Sequence, residues 1–157
     1  IDLLDSPEKT VMSLAFLKAS DISRQHASDL VIACDTMVYM DNPFGKPKDI
    51  EEAKAMLSAL SGRKHDVYTG VAILCERLQK KVIFYEKTEV YFNELSGLDI
   101  ENYVMSENTL DKAGAYGIQG LGAVLVNAIH GDYYNVMGLP LSHLNKQLRE
   151  HFGVKLL

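Results

Sequence analysis

Asp35 and Thr36 interrupt an otherwise apolar stretch, with Leu30-Val31-Ile32-Ala33-Cys34 before them and Met37-Val38-Tyr39 after. A carboxylate in such a setting is costly to bury unless it is paired, hydrogen-bonded or metal-bound. The end of an interior strand is a common place for a catalytic or metal-binding group. Asp35 therefore reads either as such a group or as a structural residue capping a turn. Lys46 follows in Gly45-Lys46-Pro47, a stiff loop that could fix an ammonium against a phosphate or leave it in solvent. Lys18 lies in helical register with Val11 and Leu14. It either reaches a phosphate or snorkels, its stem covering the core. Gln119 sits in a run, Asp111 to Gly122, that holds four glycines between Gly114 and Gly122. Its amide both donates and accepts, so it could read the edge of a base.

That glycine-rich run has two readings, a loop cradling a phosphate or base, and a plain turn into a strand. It is not a Walker loop, because no Gly-Lys-Ser/Thr follows. It is not a dinucleotide fingerprint, because a strand is expected after it where a helix should begin. The five histidines are scattered, with no HExxH and no close pair, so they do not compose a metal site. No Gly-x-Ser-x-Gly elbow supports a serine hydrolase. Tyr133 and Tyr134 could stack on a base, but are expected to pack in the core.

Composition narrows the class of protein that carries these groups. The formal net charge of -5 argues against a dedicated binder of nucleic-acid polymers. It leaves room for a small anion held by a few local lysines. No apolar run approaches the roughly 20 residues of a membrane span, and no membrane partner is expected. Cys34 and Cys75 lack metal-ligand spacing and are expected to be buried free thiols in a reducing, cytoplasmic compartment.

The elements that must position the site follow from local signals. Ser6-Pro7-Glu8 is a helix start, with the helix expected to about Ser23. The run around Asp35 is expected to be a strand buried on both faces, ending at Asp35-Thr36 and resuming at Met37. Asp41-Asn42-Pro43 reads as a turn. A helix capped by Asp49, with Glu52 completing a capping box, presents Ala53, Met56, Leu57 and Leu60 and ends at Gly62. Asp66–Cys75 and Lys81–Phe92 read as strands joined by a hairpin. In the second, Val82, Phe84, Glu86, Thr88, Val90 and Phe92 share one face. A helix over Ser96–Ser106, a strand over Ala123–Ile129 and a helix from Pro140 complete an α/β fold around a mixed sheet.

Taken together, several segments resemble the Maf family of nucleotide pyrophosphatases. They are Leu14 to Ala19, Ile32 to Thr36, Gly45-Lys46-Pro47, Met56 to Gly62, His65 to Val71, Asp111 to Gly120 and Gly131 to Pro140. Their order and spacing fit over nearly the whole chain, and the run Asp-Lys-Ala-Gly-Ala-Tyr-Gly-Ile-Gln-Gly is highly specific.

The resemblance implies an elongated mixed sheet flanked by helices with a central cleft, as in inosine triphosphate pyrophosphatases. It implies hydrolysis of nucleoside triphosphates between the α and β phosphates, with a divalent metal, Mg²⁺ or alternatively Mn²⁺. Asp35 matches the family's proton acceptor, and could also contact the metal. Lys18 and Lys46 match lysines that neutralise the phosphate chain. Thr36 and Gln119 match positions that mark the subfamily acting on dTTP and UTP, whereas a subfamily acting on methylated GTP has Gln where Thr36 stands. The expected substrates are dTTP, UTP and modified pyrimidine nucleotides. The family also implies a homodimer and a link to septum formation. The alternative is a non-catalytic nucleotide-binding regulator of cell division. Residues 1–157 are expected to form a single domain. The family's opening strand and Ser-x-x-Arg-type phosphate loop find no match in this sequence, and neither does an acidic residue before the first helix. A weakened phosphate site is therefore expected.

Overall fold

Ser6 accepts a hydrogen bond on its hydroxyl from the Lys9 amide at 3.3 Å, and α1 runs from there over Pro7–Ser23. The start is the one the serine cap and Pro7 dictate, and the end at Ser23 agrees with the expected extent. The computed structural model describes residues 6–157. After α1 come β1 (Val31–Met40), β2 (Asn42–Phe44), α2 (Ile50–Leu60), β3 (Lys64–Cys75) and β4 (Lys80–Phe92). Then follow α3 (Gly97–Ser106), two 3₁₀ turns at Ala113–Ala115 and Gly120–Val124, β5 (Val126–His130), α4 (Tyr133–Met137) and α5 (Leu141–Phe152).

The fold is α/β, with five strands in the order β2-β1-β3-β4-β5. Every neighbouring pair among the described strands is antiparallel, which corrects the expected mixed sheet. The reason lies in the connections. Asp41 (φ 62°) reverses the chain between β1 and β2, and Gln79 (φ 48°) between β3 and β4. The excursion through α2 returns the chain antiparallel to β1, and that through α3 and the glycine-rich loop returns it antiparallel to β4.

β1 also differs from expectation. It does not end at Asp35-Thr36 but continues to Met40, because pairing to β3 runs on through Asp35↔Gly70 and Thr36↔Thr69. Side-chain polarity leaves that backbone ladder intact. Nor is β1 buried on both faces. β2 pairs only with Val38–Met40, so no described strand covers the outer edge from Val31 to Met37, and Ile32 is exposed. β2 itself stands where only a turn was expected.

Two layers cover the sheet. On one face α1 packs Val11, Ala15 and Ala19 against Met37, Tyr68, Ala72 and Leu74. On the other, α2, α3 and the glycine-rich loop surround Val67, Val90 and Phe92, while α5 brings Leu144 and Leu148 to Val71, Ile73 and Phe84. The alternation expected in β4 places Phe84, Thr88, Val90 and Phe92 inward on this second face. α2 starts at Asp49, whose carboxylate accepts from the Glu52 amide at 2.8 Å. Glu52 reaches back to the Lys48 amide at 2.7 Å, one residue earlier than in a strict capping box.

The strand expected from Ala123 begins only at Val126, because Gly120–Val124 coils into a 3₁₀ turn first. α4 was not anticipated. It buries Asn135 and turns Tyr133 and Tyr134 outward, edge to face on each other at 5.5 Å, so neither packs in the core. Cys34 and Cys75 are free thiols, Cys75 buried and Cys34 only partly so. No helix among the described residues is long and apolar enough to cross a membrane.

Candidate functional site

Strand alternation sends Asp35 to the α1 face of the sheet and Thr36 to the opposite face. One cleft reaches both, along the stretch of β1 where no described strand pairs on its outer side. Its volume is about 590 Å³, and its lining includes Lys18, Asp35, Thr36, Lys46 and Gln119. All five residues singled out from sequence thus meet at one place.

α1 brings Lys18 there through a close approach to β3. A Cβ at Gly70 would stand 2.3 Å from the Val11 carbonyl carbon and oxygen, so the helix backbone rests directly on the strand. Gly70 pairs with Asp35, and the helix therefore passes over the carboxylate. Lys18 Nζ donates to Asp35 Oδ1 at 2.5 Å and to the Cys34 carbonyl at 3.3 Å. The ion pair is not closed. The lysine side chain is 55% exposed and the aspartate 20%, and both open into the cleft. Beside them, burial pushes the Cys34 thiol up, partly offset by the Lys18 ammonium.

The opposite wall is the glycine-rich loop, anchored by core residues on either side of its turn. Gly114 (φ 71°) and Ala115 (φ 66°) are both left-handed. In a buried alanine this costs on the order of 1 kcal/mol and persists because its surroundings enforce it. Ala115 and Tyr116 pack in the core with Val38, Val67 and Phe92. The Tyr116 hydroxyl meets His65 Nε2 at 2.6 Å. Burial drives the Tyr116 phenol upward and lowers the His65 imidazole to about 4, so at neutral pH both are uncharged. Tyr103 accepts from the Gly117 amide at 3.2 Å, while Gly122 lies so near Gly117 that a Cβ would fall 1.5 Å from its carbonyl oxygen. Only glycine allows the turn to close there and present Gln119, which is exposed.

Lys46 belongs to the same unit, since Gly114 donates its amide to Gly45 O at 3.1 Å. Three cleft residues escaped the sequence reading: Glu107, Asp111 and Lys112. Lys112 Nζ donates to Asn108 O at 2.6 Å and to Asp111 Oδ1 at 2.9 Å. This bond to Lys112, with a smaller contribution from Lys46, holds the Asp111 carboxyl below its usual range. Asp111 and Lys112 are adjacent in the conspicuous run, but nothing in their spacing shows which way they face.

Among the described residues, no group of three or more His, Cys, Asp or Glu could hold a metal ion by itself. The lining instead alternates three carboxylates, Asp35, Glu107 and Asp111, with three ammonium groups, Lys18, Lys46 and Lys112. Such a surface can bind an anion locally, but among the described residues its lining carries no excess of positive charge.

Comparison with known proteins gives a concordant picture. The chain is 48% identical over 155 residues to the dTTP/UTP pyrophosphatase of Clostridioides difficile (strain 630), covering 97% of this chain and 79% of that protein. It is 48% identical over 151 residues to the dTTP/UTP pyrophosphatase of Bacillus cytotoxicus, and 49% over 151 residues to that of Bacillus anthracis (strain CDC 684 / NRRL 3495). Each of these alignments covers 96% of this chain and 78% of the relative. The family profile described as Maf-like protein matches residues 2–151, and this chain belongs to that family.

Proposed function

We propose that this protein hydrolyses dTTP and UTP to the nucleoside monophosphate and pyrophosphate. The observation that carries the reading is the convergence of Asp35, Lys18, Lys46 and Gln119 on one cleft of about 590 Å³. A cleft of this size suits a ligand as large as a nucleotide. The names of relatives 48% identical to this chain support the same substrates.

In this reading the triphosphate lies between α1 and the glycine-rich loop. Lys18 holds Asp35 through Oδ1, which leaves Oδ2 to accept a proton from water. The water oxygen forms a bond to the α-phosphorus. The bond from that phosphorus to the bridging oxygen breaks, and pyrophosphate leaves. Lys46 faces the phosphate chain from the loop and stabilises charge that develops on it. Gln119 offers its amide to the carbonyls of the base.

The residues present also fit a Mg²⁺ ion of the kind held by one or two carboxylates plus substrate phosphates. Asp35 would be its protein ligand, and its charge would supply the positive excess that the balanced lining lacks. Within the same reading, the cleft is the central cleft expected of an inosine triphosphate pyrophosphatase-like fold, with the five described strands antiparallel.

Pyrophosphate release, measured over the natural nucleoside triphosphates with Mg²⁺, tests the function. dTTP and UTP should give the highest kcat/KM. A purine triphosphate turned over best would reject the substrate assignment, and orthophosphate as the product would reject the cleavage position. Nucleotide binding with no turnover of any substrate would favour a non-catalytic regulator.

A further inference from the structure

Thr36 reaches into the cleft from a chain of buried polar groups whose protons can be assigned one by one. Its Oγ1 lies 2.9 Å from Thr69 Oγ1. Thr69 in turn lies 3.0 Å from the backbone carbonyl of Asn135. Thr69 and Asn135 are completely buried, so water does not intervene as an alternative partner. A carbonyl only accepts, so the single hydroxyl proton of Thr69 goes to Asn135. The proton shared between the two threonines must therefore come from Thr36.

Asn135 is itself fixed. Its Nδ2 donates to Val67 O at 3.2 Å and to Thr88 Oγ1 at 3.0 Å. Thr88 passes its own proton to Asp132 O at 2.9 Å. Every step of the chain thus has one direction, and the Thr36 oxygen shows only lone pairs to the cleft. Space is kept open in front of it. Gly138, which ends α4 at φ 111°, leaves a side-chain position 3.5 Å from Thr36 Oγ1 empty.

We propose that Thr69 is a positioning residue for substrate choice. By taking the Thr36 proton it makes Thr36 a hydrogen-bond acceptor only, which selects a nucleotide offering a donor at that point. The inference rests on the pyrimidine reading above. In uracil and thymine the N3–H is such a donor, flanked by carbonyls that the Gln119 amide can meet. Cytosine presents a lone pair at N3 and would face the Thr36 lone pairs. A polar group matched to a substrate proton rejects an analogue lacking it far more strongly than an apolar pocket could.

The test is the ratio of kcat/KM for UTP over CTP, measured by pyrophosphate release. Wild type should prefer UTP. Thr69→Val frees the Thr36 proton to turn toward the cleft, and the ratio should fall by about tenfold. Thr69→Ser keeps the relay and should keep the ratio. An unchanged ratio in Thr69→Val overturns the proposal.

Should Thr69→Val fail to fold, with Asn135 O keeping only the Gly138 amide as a partner, wild type decides with two analogues of equal bulk. 3-Methyl-UTP lacks the donor and should show a KM raised by about tenfold or more over 5-methyl-UTP, which keeps it. Equal KM values overturn the proposal. Turnover of UTP and CTP alike by wild type overturns this inference and leaves the pyrophosphatase reading standing. Absence of pyrophosphate release from every nucleotide removes the reading itself.

Discussion

Lys18 Nζ lies 2.5 Å from Asp35 Oδ1, a contact that joins α1 to β1 across 17 residues of sequence. Its geometric cause is a third residue. Gly70, opposite Asp35 on β3, has no side chain, so the backbone of α1 at Val11 and Met12 can rest on the strand. The lysine then arrives beside the carboxylate instead of above a spacer layer. Asp35 is oriented by one oxygen and keeps the other for chemistry.

Asp35→Asn keeps the volume and removes the base. Pyrophosphate release from UTP is expected to fall by about 10²–10⁴-fold, the usual worth of a positioned general base. UTP binding, followed by calorimetry, should stay within about tenfold of wild type. Turnover near the wild-type rate would show that another group accepts the proton.

Gly70→Ala inserts a methyl into a space that the Val11 backbone already fills. α1 has to lift from the sheet, at a cost of about 1–3 kcal/mol typical of overpacking. The urea midpoint should drop, and kcat/KM should drop with it as Lys18 leaves Asp35. Gly97→Ala is the control. Gly97 lies in the first turn of α3 with nothing within 4 Å of an added Cβ, and alanine there should hold or slightly raise the midpoint.

Gly122→Ala should lower activity with a smaller loss of stability. The added Cβ would fall 1.5 Å from Gly117 O, so the loop that carries Gln119 must open. A displacement of about 1 Å in a binding wall can cost about 10²-fold in kcat/KM. Thermal unfolding should shift less than in Gly70→Ala, because the sheet and α1 are untouched. A wild-type kcat/KM would refute the positioning of Gln119 by this turn.

His65 gives a pH signature. Burial lowers its pKa from 6.5 to about 4 in the folded protein. Between these values the unfolded chain binds a proton that the folded protein refuses, so stability rises with pH across this window. Above pH 6.5 the full stability is present. It is lost as the pH falls toward 4, by an amount on the order of 3 kcal/mol. Urea unfolding at pH 7, 5.5 and 4 should trace this loss, and His65→Gln should remove the His65 share of the slope even if it lowers stability throughout. A slope identical in both proteins would place the titrating group elsewhere.

The sequence by itself determined the features that depend on neighbours along the chain. Ser6 and Pro7 set the start of α1, Asp49 that of α2, and the alternation from Val82 to Phe92 told the inward face of β4 from the outward one. These signals are local because capping bonds span three residues and strand alternation spans two. The five residues named from sequence also share one cleft, since the recognisable runs that hold them stand at its rim. Tertiary structure alone decided the rest. The three-residue β2 and the five-residue α4 are too short to carry a period. The antiparallel course of the sheet depends on what happens in the excursions between strands. Among the described residues, the strand beside β1 on that side covers only Val38–Met40, and the cleft touches both Asp35 and Thr36 along the rest, an arrangement that β1 alone does not encode. The direction of the Thr36 proton is set by Asn135, distant in sequence and brought under the strand only when α4 packs on the sheet. Hydrogen-bond direction and steric clearance are properties of atoms in contact, and a chain acquires those contacts only on folding.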